Sequence, residues 1–215
     1  PGLDSALDKE HWYRLLWNRM TADTRDSRDV IRNQVRFVSF NYDRSLERFL
    51  FSAAKHTYGL RDEDAYKVMQ SFGIIHVYGM VGKFHYAADQ NDARSYDGHL
   101  TANSLRIAAN GIRLIPEDRA DDKPFPLART WFDWAEKICF LGFGFDSTNC
   151  ENLGLYGVLD WKTDQKKPLA KVFTSSLGFT KDEIEQARKR ARGAHPWTYQ
   201  SADNVMTLRE LGILA

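Results

Sequence analysis

The chain has 215 residues, of which 43% are hydrophobic and 27% charged, a composition typical of a folded globular protein and not of a disordered one. Lysine and arginine number 30 against 29 aspartates and glutamates, and this near-neutral balance gives no strong nucleic-acid signal. Two cysteines exclude a disulfide framework and a four-cysteine zinc ribbon, and no apolar run reaches the roughly 20 residues that span a bilayer.

The first half of the chain alternates helices with short apolar strands. Residues 1–34 form a predicted helical N-terminal segment, and the β-branched and aromatic residues 35–40 predict a strand that ends at Asn41-Tyr42-Asp43. Helical spacing then runs to Gly59, with Asp43 as the expected N-cap. A further helix is expected from Asp62 and a strand over 74–78, on which period-two alternation puts His76 and Tyr78 on the same face.

The second half continues the alternation. The predicted elements are helix 101–110, strand 112–115, helix 127–137, strand 138–141, helix 151–159, strand 171–174 and a helix after the Thr180 capping box. Such alternation is typical of the α/β class. We therefore expect a Rossmann-like parallel sheet with helices on both faces, formed by residues 35–215 as a single domain.

Polar clusters follow three of the predicted strands, at 41–43, 76–79 and 142–146. In parallel α/β folds, ligands bind outside the carboxyl ends of the strands. We therefore expect the three clusters to converge on one rim of the sheet.

Each cluster has a structural and a functional interpretation. Asn41 and Asp43 fit a turn and a helix cap, or an amide that orients water beside an acid that grips a polar ligand group. His76 fits a hydrogen-bonded core residue or a general base. Gly142 and Gly144 fit a tight turn, or a backbone that approaches a phosphate or ribose, with Asp146 and Asn149 adding an acceptor and an amide. The histidines show no metal-ligand spacing, so no metal site is predicted.

Three segments together resemble the bacterial SIR2-like domain, a divergent branch of the sirtuin superfamily: FVSFNYDRSLE at 37–47, IIHVYG at 74–79 and ICFLGFGFD at 138–146. The resemblance covers most of the chain from about Val35 onward. It implies a Rossmann-like sheet that binds NAD as substrate or ligand. Several members of the family split NAD into nicotinamide and ADP-ribose, often as effectors of anti-phage defence.

The resemblance also implies roles for individual residues. Asn41 would position water at the ribose, and Asp43 would contact the nicotinamide amide. His76, the only imidazole near the position of the family's catalytic histidine, is the candidate proton acceptor. The glycine-rich strand end would contact the adenosine ribose. The predicted ligand-binding residues are Tyr42, Tyr78, Gly79, Gly142, Gly144, Asp146 and Asn149.

Two features depart from the family pattern. No G-A-G-x-S loop precedes Val35, so either the chain begins downstream of that loop or the protein lacks it. Tyr78 stands where the family has its catalytic histidine directly before glycine, and a phenol with a pKa near 10 is a poor base at neutral pH. An NAD hydrolase, a catalytically inactive nucleotide-binding module and an assembly domain all stay open.

The expected partner is NAD or an ADP-ribose-like nucleotide, with no membrane contact. A cytoplasmic location is expected because two isolated cysteines suit a reducing compartment and no signal peptide opens the chain. The first residue is proline, which predicts a fragment or a processed form of a longer protein. A homo-oligomer and additional domains both stay open.

Overall fold

A computed structural model of the chain describes residues 12–84, 93–94, 100–113, 124–155, 170–191 and 202–210. Helices and parallel strands alternate along them. In chain order the elements are α1 Trp12–Met20, α2 Ser27–Ile31, β1 Phe37–Ser39, α3 Ser45–Tyr58, α4 Asp62–Ser71, β2 Ile74–His76, α5 Ala102–Gly111, α6 Pro124–Trp134, β3 Lys137–Phe140, α7 Ser147–Asn152, β4 Lys171–Thr174, α8 Lys181–Arg190 and α9 Asn204–Glu210.

The strands form two parallel pairs. β1 pairs with β2, with Phe37 opposite Ile74 and Ser39 opposite His76. β3 pairs with β4 over their whole length, from Lys137 opposite Lys171 to Phe140 opposite Thr174. Helices connect the strands of each pair, as parallel strands require. The predicted mixed α/β class is confirmed, and the described residues contain two short parallel sheets.

The chain divides into two compact units. The β1 unit lies within Met20–Arg119, and the β3 unit lies within Pro1–Arg19 and Ala120–Ala215. Within the β1 unit α2 packs against α4. The expected boundary at residue 34 stays a prediction.

Buried apolar side chains line one face of the helices in each unit. Their spacing of three or four residues is that of an amphipathic helix packed on a core. In the β1 unit the core includes Leu50, Phe51, Ala54, Ala65, Val68, Phe72 and Val77; in the β3 unit it includes Phe125, Ala128, Phe132, Ile138, Phe140 and Val172. No helix in the described part of the chain is long and apolar enough to cross a membrane.

Local capping signals account for several helix ends. Gly59 ends α3 in the left-handed conformation with φ +61°, as predicted, and Thr101 and Thr180 both form the full capping box. Asp43 is not the N-cap of α3: Arg44 holds that position, and Asp43 stands one residue before it, where its side chain accepts a hydrogen bond from the Ser45 N–H. Likewise α4 begins at Asp62 itself, after Arg61.

Several boundaries differ from those predicted. α6 begins at Pro124, because proline suits the first position of a helix, and it ends at Trp134 before β3. α7 begins at Ser147 and not at residue 151, because Asp146 caps it. Ile112 forms only an isolated antiparallel bridge with Gly79 and no strand, and residues 114–115 of that prediction lie outside the described residues.

Candidate functional site

The carboxyl end of the β1–β2 pair brings Asn41 and His76 together. The His76 Nδ1 lies 2.6 Å from the Asn41 carbonyl oxygen, and its Nε2 lies 2.7 Å from Glu47 Oε1. The side chains of His76 and Glu47 are only 2% and 7% exposed. Two of the three predicted loops therefore meet, through an imidazole that lies beneath the surface.

The two contacts of His76 decide its protonation. A backbone carbonyl and a carboxylate both accept hydrogen bonds, so each ring nitrogen has to carry a proton to bond them. Burial by itself lowers the pKa of His76. The hydrogen bond and the charge of Glu47 raise it by more than burial lowers it, so the pKa lies above its usual value. The structure thus favours a buried imidazolium paired with a carboxylate.

Asn41 and Asp43 are exposed above this pair. The Asp43 carboxylate accepts hydrogen bonds from the Ser45 N–H, at 2.9 Å, and from the Ser45 hydroxyl. Partial burial raises the pKa of Asp43, but these two hydrogen bonds and the charge of His76 lower it more, and its pKa lies below the ordinary value. The rim therefore presents an amide and a carboxylate that stays ionised at neutral pH.

Glu47 is a site residue that sequence reasoning missed. It lies on the buried face of α3 with Leu50, Phe51 and Ala54. The sequence signal that could have found it is its spacing of three, four and seven residues from Leu50, Phe51 and Ala54, which places Glu47 on the same buried face of the helix. A buried carboxylate requires a partner, which His76 supplies from 29 positions away in the chain.

Arg44 is a second buried charge that the sequence did not identify. It is 4% exposed, and its Nη1 donates to the carbonyls of Lys83, at 2.6 Å, and Arg94, at 2.7 Å. The Arg94 N–H also donates to the Lys83 carbonyl, at 3.1 Å. The guanidinium therefore joins the start of α3 to both of these chain segments.

Tyr42 links the rim to two neighbouring segments. Its carbonyl accepts a hydrogen bond from the Val81 N–H at 2.9 Å, and its hydroxyl donates to the Arg113 carbonyl at 3.2 Å. Its ring is partly exposed. Tyr42 thus holds the rim together, and its predicted contact with a ligand stays a prediction.

Tyr78 does not lie beside His76 on an extended strand. β2 ends at His76, and the chain turns so that the Gly79 N–H donates to the His76 carbonyl at 3.1 Å. The expectation that the two side chains share a strand face is therefore wrong, because strand alternation stops before Tyr78. The Tyr78 ring is 3% exposed and packs edge to face on Phe40, with 5.7 Å between centroids.

Gly79 is required by packing within the chain. It has φ +80°, and an added Cβ would lie 2.0 Å from the Gly111 carbonyl oxygen. A Cβ on Gly111 would in turn lie 2.2 Å from the Met80 carbonyl oxygen. The two backbones cross in contact, which gives a structural reason for both glycines; a ligand contact at Gly79 stays a prediction.

The third predicted loop belongs to the β3 unit. Gly142 has φ +66°, and its N–H donates to Ser175 Oγ at 2.7 Å. Gly144 is exposed with no positive φ, and a Cβ on either glycine would meet no atom within 4 Å. Asp146 caps α7 by accepting from the Asn149 N–H at 3.2 Å. The predicted ribose contacts of these residues stay predictions.

The remaining reactive groups contribute no second site in the described residues. Burial raises the pKa of the Cys139 thiol to about 12 and that of Cys150 to about 11, so neither forms a nucleophilic thiolate at neutral pH. No group of three or more metal-ligating side chains occurs in the part of the chain that is described. Of the other histidines, His56 is exposed on α3, whereas His11, His85, His99 and His195 lie outside the described residues.

The paired charges predict a pH-dependent stability. Because the pKa of folded His76 is raised, its stabilising contribution is complete below the unfolded value of about 6.5 and is lost as pH rises through the folded value. We expect the free energy of unfolding in urea to fall as the pH rises from about 6.5 through the raised pKa of folded His76. The Glu47→Gln variant should show a smaller fall, and an equal fall in both proteins would contradict the assignment to this pair.

Comparison with known proteins adds no relative. No protein-family model, curated protein or solved structure matches the chain. Function is therefore inferred from the geometry of the rim and from the three sequence segments, and membership of the SIR2-like family stays a prediction.

Proposed function

We propose that this chain is a Rossmann-like, SIR2-like domain that binds NAD and hydrolyses it to nicotinamide and ADP-ribose, as an effector of anti-phage defence. The observation that carries the proposal is the rim of the β1–β2 pair, where the exposed Asn41 amide and the ionised Asp43 carboxylate stand over a buried ion pair. Cytoplasmic location belongs to the proposal, supported by two free thiols.

NAD serves here as a substrate and not as a redox carrier. The bond between the nicotinamide nitrogen and the ribose C1 breaks, water forms the new bond to C1, and nicotinamide, ADP-ribose and a proton are released. Asn41 orients the water, and Asp43 accepts a hydrogen bond from the nicotinamide amide. Their dipole and charge also stabilise the positive charge that develops on the ribose.

The proton leaves to solvent in this proposal. With Nδ1 on the Asn41 carbonyl and Nε2 on Glu47, the His76 imidazolium has no lone pair with which to accept a proton. Proton acceptance by His76, the role expected for it from the sequence, would require one of these contacts to open.

The glycine loop after β3 supports nucleotide binding separately. Gly144 has neither a positive φ nor a neighbour that a side chain would strike. Packing in the described residues therefore does not require glycine there, whereas close approach of an adenosine ribose to the backbone would require it.

The surroundings of Tyr78 and of His76 favour a catalytically inactive nucleotide-binding module as the second candidate. Tyr78 occupies the position of the family's catalytic histidine and is buried against Phe40, and His76 is held on both sides. Such a domain would bind NAD or ADP-ribose at the same rim without cleaving it.

The proposal predicts nicotinamide release that depends on Asn41. Wild-type protein incubated with NAD should release nicotinamide, measured by chromatography, and Asn41→Ala should lower the rate at least about 100-fold, the size typical of losing one such polar group. Asn103→Ala, which makes the same chemical change at an exposed position of α5, should retain the wild-type rate.

Three results separate the candidates. Equal release by wild type and Asn41→Ala would overturn the proposed mechanism. Thermal stabilisation by NAD without any release would favour the binding module, because a ligand that binds only the folded state raises its melting temperature. Neither release nor stabilisation would overturn both candidates.

A further inference from the structure

Hydrogen bonds fix the backbone at Asn41, where the chain leaves the sheet after β1. The last bond between the two strands is donated by the Val77 N–H to the Ser39 carbonyl, at 3.0 Å. Beyond it, the Asn41 N–H donates to Ser39 Oγ at 3.1 Å, and the Asn41 carbonyl accepts from His76 Nδ1 at 2.6 Å. Both the N–H and the carbonyl of Asn41 therefore form hydrogen bonds. The His76 imidazole bonds the carbonyl, which is the group that leads along the chain towards Asp43.

The imidazole is itself held by Glu47 from the buried face of α3. Glu47 Oε1 lies on His76 Nε2, and Glu47 Oε2 is buried with no hydrogen-bond partner among the described residues. The carboxylate thus depends on His76 for its hydrogen bond, and it fixes the ring at the nitrogen opposite to Asn41. The chain of contacts runs from α3 through β2 to the rim.

We infer that Glu47 and His76 are positioning residues, a buried ion pair that fixes the Asn41 carbonyl and so the direction in which the Asn41 amide and the Asp43 carboxylate face a ligand. Neither group transfers a proton in this role. The activity arm of the test rests on the proposed NAD hydrolysis; the structural arm does not.

Two substitutions of Glu47 separate positioning from charge. In Glu47→Gln, the new amide donates to Nε2 of a neutral imidazole whose Nδ1–H still bonds Asn41, so the geometry is retained while the ion pair is lost. In Glu47→Ala, the ring loses its support and gains space in which to turn. Asp64→Asn, an exposed carboxylate of α4 paired with Lys67, is the matched control.

The structural arm measures amide hydrogen exchange at Asn41, Tyr42 and Asp43 under conditions in which every variant is folded. Positioning predicts wild-type exchange in Glu47→Gln and Asp64→Asn and faster exchange in Glu47→Ala. Unchanged exchange in Glu47→Ala would overturn the inference, whether or not the protein cleaves NAD.

The activity arm measures kcat for nicotinamide release against pH. Glu47→Ala should lower kcat up to about 100-fold, since small misplacement of a reacting group costs this much. Glu47→Gln should keep a near wild-type kcat and an unshifted pH profile. A profile displaced to lower pH would show that titration of His76 enters the chemistry and would overturn the positioning role.

Failure of the inference and failure of the proposed function give different results. No NAD cleavage by the wild type, together with faster exchange in Glu47→Ala, would reject the hydrolase and retain the positioning pair. Cleavage that depends on Asn41 but is untouched by Glu47→Ala would retain the hydrolase and reject the positioning pair.

Discussion

His76→Leu is expected to destabilise the folded protein by about 3–5 kcal/mol, the usual cost of removing one partner of a buried ion pair. Leucine fills the apolar volume but supplies no hydrogen-bond donor, so the buried Glu47 side chain would lose its hydrogen bond to His76 Nε2. Urea unfolding near neutral pH, followed by circular dichroism, measures the loss.

The double variant Glu47→Leu/His76→Leu is the decisive control. Because it removes both charges, it should recover a large part of the stability lost in His76→Leu, as replacement of a complete buried pair by apolar residues often does. Asp64→Ala, which removes the exposed ion pairs of Asp64 with Lys67 and Arg61, should cost far less stability than His76→Leu. If His76→Leu were as stable as the double variant, Glu47 without its partner would cost no stability, and the expected penalty for breaking the pair would be wrong.

Gly111→Ala is expected to destabilise the β1 unit by about 3 kcal/mol, the upper part of the range for overpacking a filled site. Its Cβ would lie 2.2 Å from the Met80 carbonyl oxygen, and the contact is with backbone and not with a flexible side chain. The Met80 N–H also donates to the Gly111 carbonyl at 2.9 Å, so the two segments cannot separate without losing this bond.

Two other glycines calibrate that effect. Gly59→Ala adds a side chain in open space but at φ +61°, so it tests the conformational cost alone, about 1–2 kcal/mol. Gly144→Ala, with open space and no positive φ, should lie within about 0.5 kcal/mol of wild type. If Gly111→Ala lowered the free energy of unfolding in urea no more than Gly144→Ala does, the close backbone contact between Gly111 and Met80 would be disproved.

Features that depend on neighbours in the chain were predictable. Thr180 and Glu183 form the expected capping box, Gly59 ends α3 in the left-handed conformation, and β4 spans the predicted residues 171–174. Each depends on a few consecutive residues, whose side chains meet the backbone in almost any surrounding. The meeting of Asn41 with His76 followed as well, since parallel strands end at the same edge.

Features that depend on distant residues were not predictable in the same way. The inward position of Glu47 has a meaning only once His76 is known to face α3 from β2. The turn at Tyr78 depends on Gly79 meeting Gly111 from α5. Arg44 satisfies carbonyls 39 and 50 positions further along the chain.

The amino-acid sequence by itself determined the α/β alternation, the Thr180 capping box, the glycine end of α3 and the polar residues that follow β1, because propensity, spacing and these caps act over a few residues. The tertiary structure alone decided which charges are buried and paired, that β2 stops at His76, and that two glycines lie in contact. These outcomes depend on desolvation and close packing between segments far apart in the chain, which no local pattern specifies.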